Sequence, residues 1–573
     1  MYLVLGSRAD ASARWAWRGL ADRGLEPLEW IDAESLAGAR WEHRVGTDGT
    51  DVEITLADGR AVRAAGVRGV LNRLAAVPGP DVAHPEDREY ARQELAAFHL
   101  SWLHALPAPM LGRPAPYGLC GAWRHASEWA SLAAWAGLAT PAHHVGSDGP
   151  SPAPAGAGPA RTVYVVAGEV AGRNVPAEVA EGCRRLAEMA DATLLGIGFT
   201  VDDGGAWTFA GATPLPDLVP GGDALLDAIA RALRGDGSRD RAPASRSPHH
   251  PFTPSPVHPV TPSPRHLILL CGIPSEGPMA RVRREMDALG APCVFFNQRR
   301  FDDVALRVEI RGGKTGGELR IDREAWPLEA FGGIYARLMD DRLLPELEGE
   351  PGDSPRRARC RALHEALLRW TEIAPARVVN RAAAMASNSS KPYQSQLIRR
   401  HGFHVPETLV TTDPDAVRRF RRRHGRIVYK SLSGVRSVVQ TLEEDDLERL
   451  ERIRWCPTQF QAFVDGTNVR VHVVGARVFA TAIHTGATDY RYAERQGSDA
   501  ELEPVELDPR LADRCATLAR SLGLAFAGVD LKLTPDGRVF CFEVNPSPAF
   551  SYYESHTAQP IARAVAAYLA GMN

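Results

Sequence analysis

Nothing in the 573 residues approaches the roughly 18 consecutive apolar residues that a membrane-spanning helix requires. The opening MYLVLGSRAD reads as a short strand entering a loop and lacks the basic flank and apolar stretch of a secretory signal. Neither export nor membrane insertion is expected. Charge of one sign is equally scarce: 67 Lys and Arg stand against 70 Asp and Glu, a formal net of -3. No general basic field exists to gather nucleic acid or anionic membrane. The eight cysteines are scattered from Cys120 to Cys541 without close pairs, which fits neither a disulfide framework nor a zinc knuckle. A cytoplasmic location is the simplest expectation. Ser/His/Asp triads, CxxC pairs and HExxH motifs are also missing.

What is present describes a globular chain: 44% hydrophobic and 24% charged residues. At about 150 residues per domain, three or four domains are expected. Between Pro243 and Pro264 eight prolines fall in 22 residues, interleaved with Ser, Thr and His, the composition of an extended linker. His249, His250 and His258 within it have no acidic or Cys companions and do not read as a metal site.

The two sides of this linker repeat each other. Residues 186–216 align without a gap on 518–548 at a constant offset of 332 (518 − 186), and Cys183 and Cys515 obey it. Upstream, 98–114 matches 366–382, superposing Trp102 on Trp370 and Arg113 on Arg381, and GVLNRL (69–74) answers GIYARL (333–338). The sequence therefore reads as a duplication, with copies at 1–235 and 265–573 around a linker at 236–264. Gly402 to Gly528 spans 126 residues where Gly137 to Gly196 spans 59, so the first copy lacks 67 residues from its middle.

The second copy opens as strand, helix, strand (RHLILLCGIP, MARVRREMDALG, VFFNQ) and reads to about residue 375 as a Rossmann-like domain without a GxGxxG fingerprint. Lys391 opens a helix and Lys430 ends an apolar strand, so two cations can converge on a polyphosphate. SLSGVRS follows Lys430, and a small Ser/Gly-rich loop containing Ser433 and Gly434 can close over phosphates with backbone N–H groups. Asp530 precedes a PDG turn; Glu543 and Asn545, two residues apart after it, share a strand face. Two carboxylates and an amide oxygen are hard ligands of the kind Mg²⁺ takes. Glu543, embedded in the apolar CFEVNPSP, is expected to need a compensating cation. At the 332 offset these three positions are Gly198, Gly211 and Thr213, so the first copy has lost the whole set. RRFRRRHGR (418–426), with six arginines, reads as a solvated cationic face.

From 376 onward the order VVNRAAAMASNSSKPYQSQL, RIVYKSLSGVRSVV, PTQFQAFVDGTNVRVHVVG and GVDLKLTPDGRVFCFEVNPSP resembles the ATP-grasp superfamily, and within it the RimK-like carboxylate ligases and graspetide synthetases. The resemblance implies an α/β fold, α+β in its ATP-grasp part, with a Rossmann-like pre-grasp domain at 265–375 and an ATP-grasp domain at 376–573 whose lid-bearing subdomain covers about 405–465. The 1–235 copy becomes a truncated, degenerate version without a nucleotide site. It further implies that Lys391 and Lys430 hold phosphates, that Ser433 and Gly434 belong to the lid, and that Gln461, Ala462, Phe463 and Val464 form the hinge that pairs with adenine, with Phe460 nearby. Asn468 falls where relatives usually have a ribose-binding acid, and Ala549 where they commonly have Gly. Asp530, Glu543 and Asn545 become ligands of Mg²⁺, with Mn²⁺ as an alternative. Arg470 and Arg491 match substrate or γ-phosphate arginines, and Arg337 at the end of GIYARL faces substrate. The implied activity is an ATP- and Mg²⁺-dependent carboxylate ligase making an amide or ester through an acyl phosphate, on a peptide, a protein tail or an amino-acid-like acid. Phosphoryl transfer to a small hydroxyl substrate and a non-catalytic nucleotide-binding role are the alternatives. The two copies are expected to dock as an intramolecular pseudo-dimer, with further self-association open.

Overall fold

A computed structural model describes residues 1–79, 84–147, 160–235, 267–434, 439–485 and 501–572. The Pro-rich linker and Arg491 lie outside these residues.

The chain begins with Tyr2–Gly6, five buried residues in a row, the pattern of a central parallel strand covered on both faces. It takes the second place in a parallel sheet ordered Leu28–Asp32, Tyr2–Gly6, Gly69–Asn72, Met110–Leu111. The helix Ala11–Ala21 follows, capped by Asp10, whose carboxylate accepts the Ala13 N–H at 2.9 Å. Past the linker the same order recurs in Cys293–Asn297, Leu267–Gly272, Phe331–Ala336 and Arg377–Val379. The last of these strands lies just beyond the expected boundary at 375. The C-terminal helix Ile561–Ala570 returns to this unit, packing Ile561, Val565 and Leu569 with Ile268, Met279 and Tyr335.

Each half also has an antiparallel sheet. In the C-terminal half the order is Glu501–Val505, Arg477–His484, Thr467–Val474, Phe526–Leu533, Val539–Asn545. In the N-terminal half it is Glu169–Ala171, Ala160–Val166, Leu194–Val201, Trp207–Thr213. Leu194–Val201 and Trp207–Thr213 start 332 residues before Phe526–Leu533 and Val539–Asn545 (526 − 194 and 539 − 207). The β-bulge falls at Gly198/Phe199 in one pair and at Asp530/Leu531 in the other.

Two further sheets are shared between the halves, which sequence patterning did not reveal. Thr408–Thr411 pairs on one side with Thr458–Ala462 and on the other with Arg40–Gly46 of the N-terminal half, Thr408 opposite Val45 and Thr411 opposite Glu42. The result is a seven-stranded sheet running from Gln440–Thr441 to Ala61–Arg63. Reciprocally, His143–Gly146 adds to Val304–Arg311, the first strand of a C-terminal meander, with Arg307 opposite Gly146 and Ile310 opposite His143. The region 405–465 is thus not a self-contained sheet. One core joins Trp41, Phe98 and Trp102 to Tyr393, Leu397 and Val410.

The six arginines of 418–426 lie on and just after the helix Pro414–His424, where Arg418 pairs with Asp415 at 2.9 Å and Arg421 with Glu444 at 2.8 Å. Arg419 reaches Glu42 across the halves. All eight cysteines are free thiols. Among the described residues no helix is long and apolar enough to cross a membrane.

Candidate functional site

The site begins with strict two-residue alternation. In Thr467–Val474, Val469, Val471 and Val473 are buried in the core, which leaves Asn468, Arg470 and His472 on the opposite face. Phe526–Leu533 lies antiparallel, setting Lys532 opposite Asn468, Asp530 opposite Arg470 and Gly528 opposite His472. Val539–Asn545 continues the register, with Glu543 opposite Asp530 and Asn545 opposite Gly528. Directly opposed residues share a face, so the expected ligands Asp530, Glu543 and Asn545 come together beside Arg470. The bulge after Asp530 resets the pairing to Leu531 opposite Cys541, leaving Phe542 as the extra residue.

Arg470, 5% exposed, donates from Nη1 to Asp530 Oδ1 at 2.6 Å. Its guanidinium lies over Gly528, where a Cβ would fall 2.4 Å from Nη2, so only glycine admits this pose. The cation expected to compensate Glu543 therefore compensates Asp530 instead, because Arg470 is its direct neighbour in the register. Among the described residues Glu543 has no ion pair. Asn545 Oδ1 accepts the Ser547 N–H at 2.9 Å.

Lys391 and Lys430 are both buried. Ser390 caps Lys391–Arg399, its hydroxyl accepting the Tyr393 N–H at 3.4 Å. The Lys391 N–H donates to Leu432 O at 2.9 Å, and its ammonium donates to the Ser433 carbonyl. This helix leans on the strand Val539–Asn545 through Gln394, which donates to Val544 O at 2.9 Å and accepts from Val544 N at 2.8 Å. Ser433 is buried and Gly434 exposed, at the mouth of the same loop. Lys430 ends Ile427–Lys430 opposite Gln459.

At the hinge, Gln461 is buried and donates from Nε2 to Thr408 Oγ1 at 2.9 Å. Ala462 N–H donates to Glu407 O at 2.8 Å and Phe463 N–H to Arg426 O at 3.0 Å. The Val464 carbonyl accepts from Lys532 Nζ at 3.0 Å. Lys532 lies 5.2 Å from the Phe463 ring centroid, and Arg426 stacks on the same ring at 3.8 Å. Burial pushes the Lys532 ammonium below its usual range. Sequence reasoning missed Lys532, although its position two residues after Asp530 places it on the same strand face. A cavity of about 450 Å³ opens beside the hinge between Phe463, Val464, Pro535 and Phe540. Phe460, expected near the base, instead packs with Leu409 and Ile427 in the core behind the sheet.

Arg337 does not point freely at a substrate. It donates to Glu276 Oε1 at 2.9 and 2.6 Å and to Ser547 Oγ at 2.9 Å, tying the Rossmann-like sheet to the segment after Asn545. Asn380, also missed, binds the same region: its amide donates to Phe526 O and Pro546 O, both at 2.6 Å, and accepts from Ala525 N and Phe526 N.

Among the described residues no group of three or more His, Cys, Asp and Glu gathers as a metal cluster. Asp530, Glu543 and Asn545 supply two carboxylates and one amide, an all-oxygen set on one rigid face. Mg²⁺ takes few protein groups and completes its shell with phosphate and water, and the residues present fit it.

Residues 388–569 match the model of the RimK-like ATP-grasp domain. A probable alpha-L-glutamate ligase of Aliivibrio salmonicida is 29% identical over 209 residues, covering 34% of this chain and 68% of its own. One from Rhodopirellula baltica is 28% identical over 214 residues, covering 36% and 52%. Among solved structures, the ATP-grasp ligase PsnB with a phosphomimetic variant of its minimal precursor, Mg and ADP aligns at a TM-score of 0.44 and 27% identity, over 54% of this chain and 99% of that one. The macrocyclase MdnC with precursor peptide MdnA from Microcystis aeruginosa aligns at 0.45 and 24%, over 53% and 99%.

Proposed function

We propose, from the match of residues 388–569 to the RimK-like ATP-grasp domain, that the chain is an ATP- and Mg²⁺-dependent carboxylate ligase acting on a peptide, protein tail or amino-acid-like acid. The observation that carries this reading is the polar face: Asp530 and Glu543 in direct register, with Asn545 alongside and Arg470 pinned over Gly528. Mg²⁺, when bound, would neutralise phosphate charge there. The chain's own groups do the rest by position and charge. Lys391 and Lys430 supply cations for the polyphosphate, the loop the Ser433 hydroxyl and the Gly434 N–H, and Gln461 to Val464 with Asn468 the base and ribose contacts. Lys532 shapes the base end of the cleft. Arg470 and Arg491 serve the γ-phosphate and the substrate carboxylate. That carboxylate attacks the γ-phosphorus and releases ADP; an amine or hydroxyl then attacks the acyl carbon, and phosphate leaves. Arg337 acts through Ser547 to hold the Asn545 segment.

The same reading takes 1–235 as a degenerate copy of 265–573 joined by the 236–264 linker, and the two as an intramolecular pseudo-dimer. It is supported by the repeated strand orders, the bulges at equivalent positions, the loss of all three ligands at Gly198, Gly211 and Thr213, and the reciprocal exchange of edge strands.

Calorimetric titration of the full chain with ATP, with and without Mg²⁺, tests the function. Glu543→Gln keeps the shape and removes one anionic ligand, so Mg²⁺-dependent ATP affinity should fall about tenfold or more at an unchanged thermal midpoint. Wild-type Mg²⁺ dependence in this variant would place the metal elsewhere and refute the site.

A further inference from the structure

Glu94 stands in the middle of the long helix Pro85–Ala105 of the N-terminal half and is 0% exposed. Its carboxylate reaches into the other half. Oε2 accepts the Leu432 N–H at 2.6 Å and Oε1 the Ser433 N–H at 3.0 Å. These are consecutive amides of the loop that leaves Lys430, and Lys391 grips the same two residues by their carbonyls. The loop is therefore clamped on both sides, its donors on Glu94 and its acceptors on Lys391. Charge-assisted bonds of this kind are about twice as strong as neutral ones.

The helix bearing Glu94 is itself fixed to the helix bearing Lys391. Ser390 Oγ donates to Ala97 O at 2.6 Å, and Gln396 Nε2 donates to Ser101 O and Oγ, both at 2.9 Å. Residues 94, 97 and 101 follow the i, i+3, i+7 spacing of one helix face. At the 268 offset that superposes Trp102 on Trp370, position 94 falls on Ala362 (94 + 268), so the acid is particular to the N-terminal half.

We propose that Glu94 is a positioning residue for the phosphate loop: the N-terminal half, which lacks the metal-ligand residues, supplies the acid that sets Leu432, Ser433 and, through their carbonyls, the Lys391 ammonium. The proposal rests on the reading of this loop as phosphate-binding. Removing the acid releases two amides and lets the loop move away from the pose in which Lys391 and Lys430 act together.

The test uses the full chain with Glu94→Gln, which keeps the volume but leaves only one acceptor oxygen, and Gln396→Ala, which weakens the same helix contact away from the loop. Two readouts are taken: amide hydrogen exchange at residues 431–434 without nucleotide, and affinity for ATP with Mg²⁺. Glu94→Gln should speed exchange at Leu432 and Ser433 by roughly tenfold or more and weaken ATP binding about tenfold, with a thermal midpoint no lower than that of Gln396→Ala. Gln396→Ala should leave both readouts at wild-type values. Unchanged exchange at Leu432 and Ser433 overturns the assignment, as does faster exchange with undiminished ATP affinity. No ATP binding by the wild-type chain would strike the ligase reading instead, and the exchange result would then decide the Glu94 anchor by itself. Should Glu94→Gln fail to fold, Glu94→Asp, which keeps the charge and withdraws it by a methylene, is read in the same assays.

Discussion

A single methyl group at Gly528 should disable Arg470. A Cβ there would lie 2.4 Å from Arg470 Nη2, 2.6 Å from Cζ and 2.8 Å from Nε, whereas unstrained contact begins near about 3.5 Å. The guanidinium must retreat by about 1 Å. It has little room, since it is 5% exposed, bonded to Asp530 at 2.6 Å and 5.8 Å from the Tyr553 ring centroid. Losing one charge-assisted hydrogen bond in a buried site costs about 1.5–3 kcal/mol, a factor of roughly ten to a hundred or more in an equilibrium. Gly528→Ala should therefore lower unfolding stability by about that amount and weaken ATP binding, by calorimetry, more than ADP binding, because Arg470 is assigned to the terminal phosphate. A double-mutant cycle isolates the cause: against an Arg470→Ala background the Gly528→Ala change should cost almost nothing. Full stability and full ATP affinity in Gly528→Ala, or an equal cost in both backgrounds, would refute the claim that this glycine exists to admit the arginine.

Two further outcomes follow from the joined halves. Proteolysis of the linker near Pro256 should leave the halves together on a sizing column, because two shared sheets and a common core hold them and separation would bare strand edges on both; clean separation at micromolar concentration would show that the shared strands do not carry the association. Acid should loosen the chain early: burial holds His43 and His99 at a pKa of about 4, against about 6.5 when unfolded. The unfolded chain then binds more protons between those values, so the contribution is fully present above about pH 6.5 and is lost as pH falls toward 4, at about 1.4 kcal/mol per pH unit for each histidine. A thermal midpoint that stays flat from pH 7 to 5 would contradict this.

That Glu543 and Asn545 share a strand face was legible because β alternation is a local rule. The turn sets Leu533 opposite Val539, a register that would continue to Asp530 opposite Phe542; the β-bulge, which spacing does not announce, is what brings Glu543 onto the face of Asp530. Lys532 obeys the same rule, but lysine in a strand carries no signal that separates a cleft from solvent. Arg337 lies at the end of its strand as its sequence position indicates, but its partners Glu276 and Ser547 come from remote segments that local patterning does not reveal. The strand exchange was illegible for a related reason. His143–Gly146 is a four-residue edge strand, and Arg40–Gly46 pairs locally only on its Gly49–Thr55 side; their partners in the other half lie more than a hundred residues away, and register between such remote strands leaves no trace in local patterning.

On the proposed reading of the N-terminal half as a copy without the three ligands, their absence and the presence of Glu94 are best understood together. An N-terminal half that shares sheets with the other half cannot be discarded without exposing the sheet edge at Thr408–Thr411, beside the strands Thr458–Ala462 and Ile427–Lys430. Selection on its own nucleotide chemistry can lapse while selection on its surface persists. The residues that face the other half are accordingly specific and buried: Glu94 on the loop amides and Ser101 on Gln396. The positions 332 residues before Asp530, Glu543 and Asn545 are Gly198, Gly211 and Thr213. On this proposal, placing Asp, Glu and Asn at those three positions should leave the N-terminal half unable to bind ATP, because the 67 residues by which it is shorter cover the segment equivalent to Lys430, its loop and residues 461–464. Calorimetry of the triple variant, with Lys430→Ala added to silence the C-terminal site, reads this directly. Recovered ATP binding would mean that the ligands alone define the site and that the missing strand, loop and hinge do not.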